Sequence, residues 1–132
     1  MADAVTSQTI VDGPKTAVLA FTNVSDGSGE AAVAKFDASA LTVMSTGSAS
    51  ADLKITQVWW QTSGMEVDIY WNASANVIAL TLPQNDTGHF DFRSFGGLQN
   101  NAGGGVNGDI LFTTRNHSSG DTYSIVMEVS KA

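Results

Sequence analysis

The chain is short, acidic and free of cysteine, and these properties limit the classes of protein it can belong to. Its 132 residues suit one domain, in which 42% of the residues are apolar and only 14% are charged. Thirteen acidic residues against six basic ones give a net charge of -7, which opposes binding to nucleic acid or an anionic membrane. Without cysteine the fold has no disulfide, so packing must stabilise it.

The beginning of the chain predicts a cytoplasmic product with a short free arm. It has neither the basic nor the apolar segment of a signal peptide, and no apolar run is long enough to span a bilayer. We therefore expect synthesis and assembly in the cytoplasm. Residues 1–8 are polar and predict a flexible N-terminal arm, which leaves residues 9–132 as a single domain.

β-strands dominate the predicted secondary structure. Short runs of β-branched and aromatic residues alternate with clusters of Gly, Asn, Asp and Ser, and no stretch has sustained helical periodicity. This pattern predicts an all-β protein, an antiparallel β-sandwich of the jelly-roll type. The predicted strands run from Thr9 to Val11, Lys15 to Val24, Ala31 to Phe36, Leu53 to Gln61, Met65 to Trp71, Val77 to Leu82, Phe90 to Phe95, Asp109 to Thr114 and Thr122 to Ser130.

Alternation within the last strand predicts which of its faces is buried. Successive side chains of a strand point to opposite faces of the sheet, so apolar residues at every second position share one face. In this strand the apolar face carries Tyr123, Ile125, Met127 and Val129. We expect this face to lie against the core.

Glycine-rich segments predict the connections between strands. Gln61 to Gly64 separates two strands that together hold the three tryptophans, and it has the composition of a hairpin turn. Gly96 to Gly108 is rich in Gly and Asn and predicts a long irregular loop, while Ser45 to Ala51 predicts a surface connection.

The sequence contains no recognisable catalytic motif. It has no nucleophile elbow, phosphate-binding loop, zinc-protease helix or dinucleotide fingerprint. Two groups of polar residues carry the atom types of cation ligands, but their spacing matches no defined metal site. They are Asp86, His89 and Asp91, and Asp26, Ser28 and Glu30. The sequence therefore predicts no enzyme, no catalytic residue, no metal and no cofactor.

The adjacent residues Trp59 and Trp60 point to opposite faces of one predicted strand. If one of them is in the core, the other is either exposed or covered by a second apolar layer. An exposed aromatic side chain can stack on a sugar ring or anchor a protein interface. The aromatic residues that we select as candidates for such a contact are Trp60 and Tyr70.

A set of turns and alternating strands extends over nearly the whole chain. Its segments are Thr9 to Pro14, Thr22 to Glu30, Ile55 to Trp60, Val67 to Ala73, Phe90 to Phe92, Gly96 to Gly97, Gly108 to Thr114 and Gly120 to Tyr123. In these segments the chain resembles small virion structural proteins of tailed bacteriophages, especially marine phages, which are described as capsid decoration or cement proteins. The segments are structural and assign no catalytic role.

The resemblance implies a non-enzymatic virion protein on the capsid surface, where it would stabilise the head by bridging capsomers. The implied partners are the major capsid protein and further copies of the chain, in a homo-oligomer such as a trimer. The same resemblance permits a protein of the neck, tail or fibre. An alternative from another class is a carbohydrate-binding module on the virion surface, in which Trp60 or Tyr70 contacts the sugar.

Overall fold

The structure is a computed structural model that describes residues 4–13, 16–36, 54–98 and 109–130. The strands in these ranges are β1 (Ala4–Asp12), β2 (Thr16–Val24), β3 (Val33–Phe36), β4 (Lys54–Ser63), β5 (Glu66–Trp71), β6 (Val77–Leu82), β7 (Thr87–Asp91), β8 (Ile110–Arg115) and β9 (Thr122–Ser130). A single-turn 3-10 helix at Arg93–Phe95 follows β7. Within the same ranges, no helix is long and apolar enough to cross a membrane.

The strands form two antiparallel sheets with jelly-roll connectivity. One sheet has five strands in the order β1-β2-β9-β4-β7, and the other has four in the order β3-β8-β5-β6. From β2 to β9, each strand lies in the sheet opposite to its predecessor, except that β6 follows β5 in the same sheet. This is the arrangement of a jelly roll, with β1 added at one edge. The predicted antiparallel β-sandwich is confirmed.

The core lies between the two sheets and is built from alternate residues of their strands. The predicted inner face of β9 is confirmed, because its four apolar side chains are at most 2% exposed. Aromatic rings from both sheets meet edge to face, with the centroid of Phe112 5.3 Å from that of Phe21 and 5.9 Å from that of Tyr123. Such contacts add to the stability that apolar burial provides.

A β-bulge in β4 determines which tryptophan enters this core. Ile55 and Gln57 oppose successive residues of β9, which makes Thr56 the extra residue. The extra residue reverses the alternation, so that Trp60 points inward and Trp59 points outward. Trp60 is 8% exposed, and Trp59 is 37% exposed.

The inward tryptophan depends on a glycine in the neighbouring strand. Gly88 of β7 lies opposite Trp60, and a Cβ atom at this position would come within 2.6 Å of the indole ring. The ring also stacks on Phe90, with 4.6 Å between the centroids. Glycine therefore provides the space in which Trp60 packs between β7 and the core.

The turn after β4 connects the two sheets, so the predicted hairpin is wrong. β4 pairs with β7 and β9, whereas β5 pairs with β6 and β8. Both strands have an apolar face, and placing them in opposite sheets buries both faces against each other. Gly64 adopts a φ of +84° in the turn, and its N–H donates to the side-chain oxygen of Asn85 at 2.7 Å.

The prediction of a flexible arm over residues 1–8 is wrong for residues 4–8. These residues belong to β1 and pair with β2, and the side-chain hydroxyls of Thr6 and Thr22 form a hydrogen bond across the pair. Backbone pairing offsets the entropy lost when this polar segment becomes ordered. Residues 1–3 lie outside the described ranges.

The structure also corrects the predicted strand at Phe90 to Phe95. The strand observed there is Thr87–Asp91, and the chain then turns through the 3-10 helix. At the start of the predicted long loop, Leu98 pairs with Ile55 as an isolated bridge. Residues 99–108 of this loop and the predicted connection from Ser45 to Ala51 lie outside the described ranges.

A buried ion pair joins the β2–β3 connection to β3. Lys35 Nζ lies 2.5 Å from Glu30 Oε2, and the two side chains are only 7% and 5% exposed. The other carboxylate oxygen, Oε1, accepts hydrogen bonds from Asn23 Nδ2 at 2.9 Å and from the hydroxyl of Tyr123 at 2.6 Å. The pair links three strands at one end of the core, and its hydrogen bonds compensate the cost of removing the carboxylate from water.

We predict that Lys35→Met destabilises the fold by about 3–5 kcal/mol, because the Glu30 carboxylate is left buried without its cation. The free energy of unfolding is measured by urea titration. Arg93→Met is the matched control, because it breaks the exposed ion pair with Asp91, and we expect it to cost much less stability. Equal losses from the two substitutions would contradict this role for the buried pair.

Candidate interaction surface

Three neighbouring rows of side chains cross the middle of the outer face of the five-stranded sheet. The register between neighbouring strands defines these rows. The central row is Gln8, Ala20, Val126, Trp59 and His89. The flanking rows are Thr6, Thr22, Ser124, Gln61 and Thr87 on one side, and Val11, Val18, Glu128, Gln57 and Asp91 on the other. Apart from His89, the only ionisable side chains in these rows are those of Glu128 and Asp91.

Trp59 and His89 form a stacked aromatic pair in the central row. Their ring centroids lie 4.8 Å apart, and the ring planes differ by 1°. One face of the Trp59 indole is therefore covered by His89. The exposed part of the indole is suited to packing against a partner side chain, and it offers less area for a sugar ring.

A chain of hydrogen bonds holds the histidine in place. Gln57 donates from Nε2 to Glu128 Oε1 at 3.2 Å, which fixes the orientation of its amide group. Its Oε1 lies 3.0 Å from His89 Nε2, so this ring nitrogen donates the hydrogen bond. Thr56 also donates its hydroxyl to Glu128 Oε1 at 2.7 Å. The aromatic pair is thus positioned by buried polar groups of the same face.

The ion pair between Arg93 and Asp91 lies at one corner of this surface. Arg93 donates to Asp91 Oδ1 from Nε at 3.0 Å and to Oδ2 from its NH2 group at 2.8 Å. The backbone N–H of Arg93 also donates to Oδ1. These side-chain and backbone hydrogen bonds lower the pKa of Asp91 from 3.8 to about 2.

The two aromatic residues selected from the sequence do not form a common site. Trp60 lies in the core, so its selection as a surface contact is wrong, and the adjacent Trp59 takes the exposed position. Tyr70 is half-buried on the outer face of the other sheet, where it pairs with Leu111 and Ile78. The missed signal is the bulge in β4, which depends on pairing with β9.

The two groups of candidate cation ligands are occupied by other interactions. Asp91 is paired with Arg93, and His89 bonds to Gln57. Asp26 accepts from the backbone N–H of Ser28 at 3.0 Å, while Glu30 points into the core. Among the residues that the structure describes, no group of three His, Asp or Glu could hold a metal ion.

Both histidines form hydrogen bonds with neutral side chains. His89 bonds to the amide of Gln57, and His117 Nδ1 lies 3.2 Å from the hydroxyl of Thr114. The ring of His117 also fills the space beside Gly29, where a Cβ atom would lie 2.2 Å from it. In a Ser–His–Asp triad a carboxylate orients the histidine, and these contacts of His89 and His117 do not supply one.

The outer face of the four-stranded sheet differs from the tryptophan-bearing face in charge. Arg115 donates to both carboxylate oxygens of Asp68, at 2.7 and 3.0 Å, and pairs with Glu66 at 3.0 Å. The Arg115 side chain is 49% exposed. The two outer faces thus present different surfaces, one with a charged network and one with an aromatic centre.

Comparison with known proteins does not identify a family for this sequence. No protein family and no curated protein matches the sequence. Among solved structures, the chain is similar to peruvianin-I, a cysteine peptidase from Thevetia peruviana latex, with a TM-score of 0.40 and 7% identity. The match covers 96% of this chain and 61% of the peptidase chain. A likeness at this level carries no argument about activity.

We predict that Arg93→Met raises the pKa of Asp91 from about 2 towards 3.8, because the substitution removes the guanidinium hydrogen bonds. In the unsubstituted protein the carboxylate stays charged, and the ion pair persists, until the pH falls through about 2. The measurement is a 13C NMR titration of the Asp91 carboxyl group in both proteins, over the range in which they remain folded. An Asp91 titration near 3.8 in the unsubstituted protein would contradict the geometry.

Proposed function

We propose that this protein is a non-enzymatic structural protein of a bacteriophage virion, which decorates the capsid and binds the shell through the outer face of its five-stranded sheet. The observation that carries the assignment of the surface is the exposed Trp59, which lies in the middle of three rows whose only carboxylates are those of Glu128 and Asp91. The resemblance to phage decoration proteins supports the setting. The proposed partners are the major capsid protein and other copies of this chain.

The composition of the face supports a protein interface. Interface centres are enriched in aromatic residues and depleted of charge, whereas their rims are polar. Here Trp59 lies beside Val126 in the central row, and one flanking row consists of Thr and Ser side chains and Gln61. The charged network around Arg115 on the opposite sheet suits the side that faces water.

Binding to a capsid shell does not require a large free energy from each contact. Each copy that binds across neighbouring capsomers contributes a modest free energy, and the symmetry of the shell repeats this contribution many times. The outer face of a five-stranded sheet can bind a capsid surface without a deep pocket. The proposed function therefore needs no catalytic group and no cofactor.

Localisation in the virion tests this function directly. We expect quantitative mass spectrometry of purified particles to give hundreds of copies per virion, and cryo-electron microscopy to show them on the head. A few copies at one vertex would instead assign the protein to the neck, tail or fibre. Absence from the particle would contradict a structural role altogether.

We predict that Trp59→Ala weakens binding to undecorated heads by at least about 30-fold, because truncating a central aromatic residue costs about 2 kcal/mol or more. Binding is measured by co-sedimentation of the variant with heads that lack the protein. Ile78→Ala is the matched control, since Ile78 is 50% exposed on the other sheet. Equal binding of the two variants would contradict the assignment of the surface.

Carbohydrate binding is a second candidate, and one feature favours it. A shallow cleft of about 360 Å³, formed by residues with polar side chains, lies at the end of the tryptophan-bearing sheet. The lining residues are Gln61, Thr62, Ser63, Asn85, Asp86 and Thr87. Amide and hydroxyl groups of this kind bind sugars, but one of the two faces of the Trp59 indole is already stacked on His89. Binding on a glycan array that Asn85→Ala abolishes would favour this candidate over decoration.

A further inference from the structure

Strand β1 forms a long edge of the five-stranded sheet. Among the described strands, β2 is the only one that pairs with it, so the opposite side of β1 has no described strand partner. Three apolar side chains of this strand are exposed by 45–51%. They are Val5, Ile10 and Val11. A long, exposed and uncharged edge is a template for pairing with another strand.

Natural edge strands are usually protected by charge, proline, bulges or short length, and β1 has little of this protection. No charged residue occurs from Ala4 to Val11, and the pairing with β2 is regular from Ala4 to Thr9. The bulge of this strand, at Ile10, lies outside that regular stretch. With respect to the strands that the structure describes, six consecutive residues are thus in the regular register that a continuous ladder requires.

The other three edges are less suited to pairing. β3 has four residues, including the buried Lys35, and β7 has five residues and ends at the charged Asp91. β6 is uncharged, but a bulge at Ala79 interrupts its pairing with β5 and leaves at most three residues in regular register. Of the four sheet edges in the described ranges, β1 offers the longest regular ladder.

We propose that β1 pairs antiparallel with β1 of a second copy, which joins two five-stranded sheets into one sheet of ten strands. Directly opposite residues of an antiparallel pair point to the same face of the sheet. A two-fold axis perpendicular to the joined sheet must therefore place one residue directly opposite its own copy in the second chain. Ser7 is at the middle of the stretch from Val5 to Thr9. An axis that places Ser7 opposite its own copy also places Val5 opposite Thr9 and Thr6 opposite Gln8.

The β1 edge is uncharged although the chain as a whole is acidic, and this favours a second copy at the edge over a charged partner. Each chain has a net charge of -7, so two copies repel each other over most of their surface. The edge residues from Val5 to Val11 contribute no charge, and the proposed axis brings no acidic side chains together. Pairs of β-branched and hydroxyl residues across the axis stabilise such a ladder.

The dimer deepens the proposed function, although its formation does not depend on that function. Edge pairing keeps the two tryptophan-bearing faces on the same side of the joined sheet. A dimer would therefore present two copies of Trp59 to one shell, and the second contact would form at a high effective concentration. This arrangement gives a dimer and not the trimer that the phage resemblance allows.

Single-cysteine variants test whether β1 pairs with β1 of a second copy, because the natural chain contains no cysteine. Under mild oxidation we expect Ser7→Cys to form a disulfide-linked dimer in high yield. Two control variants report other contacts: Thr81→Cys on the β6 edge and Ser124→Cys in the outer face of the five-stranded sheet. Preferential cross-linking of either control would overturn the proposal.

Sedimentation equilibrium of the unmodified protein provides the second measurement. We expect a monomer–dimer equilibrium, and we expect Ser7→Lys to raise the dimer Kd by at least tenfold, because it places two like charges at the axis. Ser124→Lys is the matched control with the same change in charge, and thermal unfolding shows whether each variant folds. A monomer or a trimer in the unmodified protein would overturn the proposal. Head binding is measured separately, so loss of the dimer and failure of decoration remain distinguishable.

Discussion

The burial of one apolar layer between two sheets is the constraint on which the rest of this structure depends. The chain has no disulfide, and its fold rests on side chains such as Phe21, Trp71 and Phe112, which are at most 1% exposed. The central strands of both sheets direct alternate residues into this layer. The outer faces are therefore free to differ from each other, and the candidate function follows from this difference.

Polar groups enter the core at one end, where they link strands that the apolar layer alone would not hold in register. Glu30 bonds to Lys35, Asn23 and Tyr123, and these residues come from both sheets and their connection. A second polar chain, through Gln57 and Glu128, lies on the outside of the five-stranded sheet. The first chain stabilises the sandwich, while the second positions the side chains of the proposed interface.

Local preference accounts for the parts of the fold that were predicted well. The predicted bounds of the strands Val77–Leu82 and Thr122–Ser130 agree with the structure at both ends. Glycine and asparagine mark the turns, and alternation marks the buried face of β9. The predicted N-terminal arm was wrong over residues 4–8, because β2 supplies backbone partners that no local pattern of this polar segment reveals.

The sequence by itself determined the all-β class, the antiparallel sandwich, most strand positions and the buried face of the last strand, because these depend on local propensity and a period of two residues. Only the tertiary structure decided that β4 and β5 lie in opposite sheets and that Trp59, rather than Trp60, is exposed. Both outcomes depend on hydrogen bonds between strands that are distant in the chain. The bulge at Thr56 is fixed by pairing with β9, and one extra residue there reverses the faces of every later residue in the strand.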